Sequence, residues 1–273
     1  MAIESAAEAG TLLDLADTLH FTQTLVAEAA ERARFFVARG FGQTLKLDGT
    51  VVTDVDKSIE RFLRDAIATR FPGHAILGEE FGFDGPADDV PLWALDPIDG
   101  TTNLANGLPL WSISVGLVVG DTPVVGVIAA PLMGETYAGA RGLGATLNGE
   151  ALPPLPPGGE LRWEDTYGVS STCVRVLNFD GVPGRLRVHG SAALDLCYVV
   201  SGRFRGCQSI ATSLYDVAAG VCLAREVGAE TEWLSGARWS PRNMARMGPR
   251  DEVLLTAPPA TLAFVRERLR PRV

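Results

Sequence analysis

The sequence is poor in histidine and cysteine, and this scarcity excludes several kinds of site. It contains 3 histidines and 4 cysteines in 273 residues. None of the histidines has the spacing of a zinc site, and no two cysteines form a Cys-x-x-Cys pair. We therefore expect the cysteines to be reduced, buried thiols, as is usual in a cytoplasmic protein.

Net positive charge and long apolar segments are also missing. The formal net charge is −9, which disfavours nucleic acid or an anionic membrane as the main partner. The first ten residues lack the charged-then-apolar pattern of a signal peptide, and no stretch is long and apolar enough to cross a bilayer. We therefore expect a cytoplasmic protein with no nucleic-acid partner and no membrane partner. An acidic protein can still bind an anion when a metal ion inverts the local field.

Hydrophobic residues make up 47% of the chain, which is ample for a large core. Apolar periodicity predicts helices over residues 11–39, 54–72, 171–178, 191–200, 216–227 and 259–269. Apolar runs bounded by turn residues predict strands over residues 75–77, 92–95, 113–119, 124–130, 135–140, 165–169, 185–189, 207–210 and 253–256. Residues 81–91 are predicted to form a loop. Strands and helices alternate in both halves, which indicates an α+β protein with layered sheets.

The segment from Trp93 to Asn103 is the most informative part of the sequence. An apolar strand leads into Asp96 and Asp99, and Gly100 permits a sharp turn and a close approach to a ligand. Carboxylates with a backbone carbonyl such as that of Ile98 suit a hard cation, above all Mg²⁺. Asp99 could instead simply cap the following short helix.

Other motifs become more informative when they are considered together with the segment from Trp93 to Asn103. Glu79 and Glu80 follow the strand over 75–77, so one side chain can reach a site while the other supports it from behind. Asp216 is predicted to begin a helix, where an isolated aspartate is usually a cap. The small residues Gly190, Ser191 and Ala192 open another helix, and they allow either a ligand or a neighbouring helix to approach. Residues 46–50 are predicted to form a hairpin tip, as a simple turn or as a loop that brings a cation to the site.

Taken together, the motifs resemble the magnesium-dependent, lithium-sensitive phosphomonoesterase superfamily, and specifically its inositol monophosphatase-like proteins. The resemblance covers nearly the whole chain and includes the following motifs in the family's order: Asp56, Gly78-Glu79-Glu80, Asp96-Pro97-Ile98-Asp99-Gly100-Thr101-Thr102-Asn103, Tyr215-Asp216 and Gly228-Ala229. It implies a layered αβαβα sandwich of the inositol monophosphatase and fructose-1,6-bisphosphatase type. It also implies a homodimer that hydrolyses small phosphate monoesters.

The resemblance also implies a role for each matching residue. Glu79, Asp96 and the Ile98 carbonyl would hold one Mg²⁺, and Asp96, Asp99 and Asp216 a second. Glu79 and Thr101 would activate the attacking water. The amides of Gly100 and Thr101 would hold the phosphate, and Gly190, Ser191 and Ala192 would line the alcohol side. Asp56 and Glu80 would support these ligands from behind.

The predicted boundary is the proline- and glycine-rich segment 153–159. It divides one compact unit into an N-terminal α+β half, residues 1–152, with most of the metal ligands, and a C-terminal α/β half, residues 153–273, that completes the site.

The chain departs from the family pattern on the substrate side. Ser209 stands where the family's inositol-contacting glutamate is expected, so the carboxylate for a polyol hydroxyl is missing there. Tyr215 replaces a tryptophan, Ala229 replaces a glycine, and the segment over 155–187 is short.

The sequence therefore predicts a small phosphorylated metabolite as substrate, such as an inositol, sugar, polyol or amino-alcohol phosphate. The alternatives are histidinol phosphate, fructose 1,6-bisphosphate and a nucleotide 3′-phosphate. A weakly active scaffold or binding protein with the same fold is the alternative from a different class. The presence of every metal-ligand residue argues against that alternative.

Overall fold

The computed structural model describes residues 13–45, 51–86 and 90–272. The predicted hairpin tip over 46–50 lies outside these residues. On either side of it, strands β1 (Gln43–Leu45) and β2 (Val51–Thr53) pair antiparallel. Within the described ranges, no helix is both long enough and apolar enough to cross a membrane.

Most of the predicted helices are confirmed, with small shifts in their ends. The helices are α1 (Leu15–Arg39), α2 (Asp54–Arg70), α3 (Thr101–Ala105), α4 (Ser171–Val176), α5 (Ala192–Val200), α6 (Leu214–Glu226), α7 (Pro241–Met247) and α8 (Pro259–Arg268). The α6 helix begins two residues before the predicted start because Ser213, rather than Asp216, is its N-cap residue. The short α7 was not predicted from the sequence.

An eight-stranded sheet forms the first β layer. Its strands are β3 (Ala75–Gly78), β4 (Gly82–Asp84), β5 (Leu92–Asp99), β6 (Ser112–Val119), β7 (Thr122–Ala130), β8 (Glu135–Ala140), β9 (Gly144–Leu147) and β10 (Glu150–Ala151). Their spatial order is β10-β9-β8-β7-β6-β5-β3-β4. The prediction of a loop over 81–91 was therefore wrong at β4, which is too short to show an apolar pattern.

A five-stranded sheet forms the second β layer. It contains β11 (Thr166–Val169), β13 (Arg185–Arg187), β14 (Cys207–Ile210), β15 (Glu230–Trp233) and β16 (Val253–Ala257), in the order β13-β11-β14-β16-β15. Two further short strands, β12 (Leu177–Asn178) and β17 (Arg270–Pro271), pair with each other. The predicted boundary segment over 153–159 contains neither helix nor strand.

Three apolar clusters show how the layers stack. The first cluster packs α1 and α2 against one face of the large sheet. The second packs α5 and α6 between the two sheets, and the third packs α4 and α8 against the outer face of the small sheet. The order of layers is therefore αβαβα, which confirms the fold expected from the sequence.

A row of small residues brings α6 unusually close to the large sheet. Ala94, Gly116, Gly126 and Gly139 are successive cross-strand partners on β5 to β8. A Cβ atom on Gly126 would lie 2.4 Å from the carbonyl oxygen of Ala219, and one on Gly116 would lie 2.7 Å from the Ala219 nitrogen. Any side chain larger than hydrogen at these two glycines would push the helix away.

Candidate active site

The strand β5 carries Asp96 and Asp99 to the centre of the molecule. It runs further than the predicted 92–95, and its pairing with β6 shifts register between the two aspartates. The Asp96 side chain is buried, and its Oδ1 accepts a hydrogen bond of 3.0 Å from the Ile98 amide. This irregular strand end therefore places carboxylates inside the protein rather than at a solvated edge.

Gly100 makes the turn between β5 and α3, and no other residue fits there. Its φ is +93°, in the left-handed region that favours glycine. A Cβ atom would also lie 2.9 Å from the Leu110 carbonyl oxygen and 3.3 Å from that of Gly190. The turn is thus pressed against backbone from two distant parts of the chain.

Asp99 caps a helix, although not the one that follows it. Its carboxylate accepts hydrogen bonds from the hydroxyl of Ser191 and from the amides of Ala192, at 3.2 Å, and Ala193, at 2.9 Å. These donors form the N-terminus of α5, where negative charge is favoured. The alternative in which Asp99 caps α3 is therefore wrong. Asp99 instead ties β5 to the C-terminal half of the chain.

Asp56 supports the same turn from α2. It is fully buried and accepts a hydrogen bond from the backbone N–H of Thr53, 2.8 Å away. The hydroxyl of Thr101 lies 3.0 Å from Asp56 Oδ1 and 2.9 Å from the Ile98 carbonyl oxygen. Because that hydroxyl has one proton, it can donate to only one of the two oxygens at a time.

Glu79 lies in a turn that is fixed by a buried residue of α2. The carboxylate of Glu60 accepts hydrogen bonds from the amides of Glu80, at 2.7 Å, and Phe81, at 3.2 Å. Arg64 donates to the same carboxylate at 2.7 Å, and Glu60 itself is completely buried. Glu60 therefore holds the chain immediately after Glu79 in place.

Asp216 comes from α6, on the opposite side of the site. One of its oxygens accepts a 2.6 Å hydrogen bond from the Ser213 amide, so part of the simple capping interpretation is correct. Burial, together with the nearby charges of Asp99 and Glu79, raises the pKa of Asp216 to about 8. A cation beside these acids would favour the charged form of Asp216.

One cavity of about 200 Å³ collects these groups. It is lined by Glu79, Asp96, Ile98, Asp99, Gly100, Thr101, Thr102, Gly190 and Asp216. Burial, and then the charges of Glu79 and the other acids, raise the pKa of Asp96 well above its usual range. Burial likewise raises the pKa of Asp99 and of Asp56. None of the nine lining residues is basic, so their negative charge is not offset within the cavity wall.

The donor set fits a hard divalent cation. Every candidate donor is a carboxylate or carbonyl oxygen, which Mg²⁺ prefers, and there is neither histidine nor cysteine in the cavity wall. Across the described ranges, no three acidic, histidine or cysteine side chains are already arranged to hold one ion. Asp99 and Asp216 are turned towards backbone amides, and each carboxylate has further lone pairs beyond those bonds.

The predicted substrate residues lie beside this cavity. Gly190 lines it and also a second cavity, which contains Ser191, Ala192 and Ser209. Asp56 and Glu80 line neither cavity; Asp56 reaches the site through Thr101, and the Glu80 amide is bound by Glu60.

The sequence interpretation missed three residues around the site: Glu60, His189 and Asp195. Glu60 and Arg64 have the spacing of an exposed helical salt bridge, and nothing in that spacing reveals burial. Nδ1 of His189 lies 2.7 Å from a carboxylate oxygen of Asp195, which lines the second cavity. A lone histidine six residues before an aspartate is not a recognisable signal.

Comparison with known protein families agrees with these features. A sequence profile described as the inositol monophosphatase family matches residues 14–258. The chain is 36% identical over 233 residues to an inositol-1-monophosphatase ImpA of Mycolicibacterium smegmatis, covering 79% of this chain and 84% of that protein. It is 36% identical over 185 residues to a fructose-1,6-bisphosphatase/inositol-1-monophosphatase of Aquifex aeolicus, covering 65% and 70% of the two chains.

Solved structures show the same similarity. The inositol monophosphatase of Anabaena (Nostoc) superposes with a TM-score of 0.77 at 27% identity, over 94% of this chain and 96% of that one. A staphylococcal inositol monophosphatase I in complex with products superposes with a TM-score of 0.79, and its 22% identity supports the fold alone.

Proposed function

Because the chain belongs to the inositol monophosphatase family and is a phosphomonoester hydrolase, we propose that it uses Mg²⁺ held by the acidic cavity. The observation that carries this proposal is the set of four acids, Glu79, Asp96, Asp99 and Asp216, in one cavity without a basic residue. Two divalent cations would offset that charge, and Asp96, whose pKa is raised by burial and then by the other three acids, would be a ligand of both.

The proposed assignment follows the family pattern. Glu79, Asp96 and the Ile98 carbonyl bind one ion, and Asp96, Asp99 and Asp216 bind the other. When bound, Mg²⁺ lowers the pKa of water, neutralises phosphate charge and stabilises the leaving oxygen. The protein supplies positioning, since phosphoryl transfer to water needs no nucleophilic side chain.

Thr101 and Glu79 orient the attacking water in this proposal. When Thr101 donates its single proton to Asp56, 3.0 Å away, its oxygen is left to accept a hydrogen bond from that water. The Glu79 carboxylate then accepts the water's proton. The amides of Gly100 and Thr101 bind the phosphate oxygens, in the turn that Asp56 supports.

The test measures phosphate release from a panel of monoesters with Mg²⁺ and with excess chelator. We expect Asp96→Asn to abolish turnover while retaining the fold, as judged by circular dichroism and thermal melting. Asp165→Asn is the matched control, because Asp165 is also a buried aspartate but lines neither cavity. Full activity in chelator, or normal turnover of Asp96→Asn, would overturn the metal proposal.

We also propose that the protein is a cytoplasmic homodimer, as the family resemblance implies. All four cysteines are buried and unpaired, which suits a reducing compartment. Size-exclusion chromatography with light scattering tests the oligomeric state, and a monomer at micromolar concentration would contradict it.

A further inference from the structure

The second cavity, which we name the alcohol-side pocket, adjoins the acidic cavity at Gly190 and has a volume of about 250 Å³. Its floor is the face of the small sheet that carries Cys207 and Ser209, and α5 forms a wall. Gln208 also lines the pocket, and its Oε1 accepts a hydrogen bond of 3.4 Å from the hydroxyl of Tyr167. Its neutral amide carries no charge, so Gln208 does not supply the carboxylate that is missing at position 209.

Asp195 of α5 is the one charged residue among those that line the alcohol-side pocket. Its Oδ1 lies 2.7 Å from Nδ1 of His189. In the described part of the chain, no group donates a hydrogen bond to its Oδ2. Burial raises the pKa of Asp195 to about 6, opposed by the hydrogen bond from His189, so the carboxylate is mainly ionised at neutral pH. The pocket thus contains a fixed anionic acceptor with one unpaired oxygen.

His189 holds that carboxylate because its own ring cannot turn freely. It stacks on Phe204 with ring centroids 5.3 Å apart and planes 10° apart. The ring of Tyr198 lies perpendicular to it, at a centroid distance of 5.3 Å and an angle of 88°. The two aromatic rings fix the direction of Nδ1, and Nδ1 in turn fixes Asp195.

The chemistry of the pocket wall restricts the alcohol half of the substrate. No lysine, arginine or histidine and no aromatic side chain is among the lining residues in the described ranges. A second phosphate would lie near Asp195 without a cationic partner, and a nucleobase would have no ring on which to stack. The side chains of Ser209 and Thr212 make no hydrogen bond to the described parts of the chain and remain available to a ligand.

We propose that Asp195 is the specificity-determining acceptor for the alcohol half of the substrate, with His189 as its positioning residue. Asp195 takes the place of the carboxylate that is missing at position 209, and it binds a hydroxyl or ammonium group of the leaving alcohol. The substrate class is then the monophosphate of a polyol or amino alcohol, rather than a bisphosphate or a nucleotide. This inference rests on the proposed phosphatase function of the adjoining acidic cavity.

The experiment compares kcat/KM for four substrates with Mg²⁺: myo-inositol 1-phosphate, histidinol phosphate, fructose 1,6-bisphosphate and 4-nitrophenyl phosphate. The last has no donor on its leaving group and serves as the reference. For each enzyme we divide kcat/KM for the better of the first two substrates by kcat/KM for the reference. Asp195→Asn should lower this ratio by about 10- to 100-fold, which is the value of a charged hydrogen bond. The ratio does not depend on the fraction of folded enzyme, so a loss of stability cannot mimic the effect.

His189 is tested by a pair of variants. His189→Leu should lower the same ratio several-fold, and His189→Asn, whose amide can donate in place of Nδ1, should restore most of it. An Asp195→Asn variant that lowers all four kcat/KM values equally, or a wild type that prefers the bisphosphate, would overturn the role of Asp195. If wild type hydrolyses none of the four substrates with Mg²⁺, the proposed function itself fails.

Discussion

The turn that carries Glu79 depends on one buried carboxylate, and Glu60→Gln tests that dependence. In the wild type, Glu60 accepts hydrogen bonds from two backbone amides and from Arg64, at 2.7–3.2 Å. Glutamine has nearly the same shape, but its NH₂ group would face a backbone N–H donor. Its neutral amide would also leave the Arg64 guanidinium, which donates to the Gly82 carbonyl as well, without a carboxylate partner. The Arg64 side chain is only 13% exposed, so solvent cannot replace the lost partner.

The expected loss follows from the contacts that the substitution breaks. A hydrogen bond to a charged group contributes roughly 1.5–3 kcal/mol, and breaking a buried ion pair costs about 3–5 kcal/mol. Because glutamine keeps one acceptor oxygen, we expect the free energy of unfolding to fall by about 2–4 kcal/mol. In a chain of this size, that corresponds to a Tm lower by roughly 4–16 °C. The Mg²⁺ concentration for half-maximal activity should rise several-fold, since Glu79 precedes the loosened segment.

Differential scanning calorimetry and a Mg²⁺ titration measure the two effects. Glu28→Gln is the matched control, because Glu28 and Arg32 form an exposed pair with the same i,i+4 spacing at 2.7 Å. Its effect should stay below about 1 kcal/mol, without a change in the Mg²⁺ requirement. If Glu60→Gln behaves like Glu28→Gln in both measurements, the buried carboxylate does not position the turn and the reasoning is refuted.

Three further predictions concern the cavities. Lithium should inhibit phosphate release at fixed Mg²⁺, because a monovalent ion in a Mg²⁺ site supplies less charge stabilisation; equal inhibition by sodium would contradict this. Ser209→Glu should raise activity on myo-inositol 1-phosphate relative to 4-nitrophenyl phosphate by roughly 10- to 150-fold in kcat/KM, because it adds a second charged acceptor to the pocket, and an unchanged ratio would contradict the reasoning. Gly100→Ala should nearly abolish activity because its Cβ would lie 2.9 Å from the Leu110 carbonyl oxygen. Gly107→Ala is the control: Gly107 also has a positive φ, +71°, but no atom lies within 4 Å of its Cβ position, so this variant has the backbone strain without the clash.

The Asp96–Gly100 part of the acidic centre could be predicted from the sequence because its signals are local, whereas Glu79 and Asp216 joined the prediction through the family resemblance. Asp96, Asp99 and Gly100 lie within five residues, and the strand and turn around them follow from apolar pattern and glycine chemistry. The layered fold followed from the alternation of strands and helices together with the family resemblance.

The supporting contacts could not be predicted because they depend on burial and on residues far apart in the chain. The capping of α5 by Asp99 joins residues more than 90 positions apart, and helix propensity favoured the nearer α3. Asp195 was overlooked because its importance comes from His189 and the cavity, neither of which is visible in an amphipathic pattern. The short strands β4, β9 and β10 were not predicted for a different reason, since two to four residues are too few to show periodicity.

The close packing of α6 against the large sheet limits which parts of such an enzyme can change during evolution. Gly116 and Gly126 bring the backbone of α6 against the sheet. The separation between Asp216 on α6 and Asp96 on β5 is consequently set by main-chain contact, which leaves little freedom for side-chain repacking to alter it. The alcohol-side pocket, by contrast, owes its chemistry to replaceable side chains such as Ser209 and Asp195. With the site roles that we propose, mutation can therefore change which alcohol the substrate carries while the spacing of the acids stays constant, so that one hydrolytic centre can serve many metabolites.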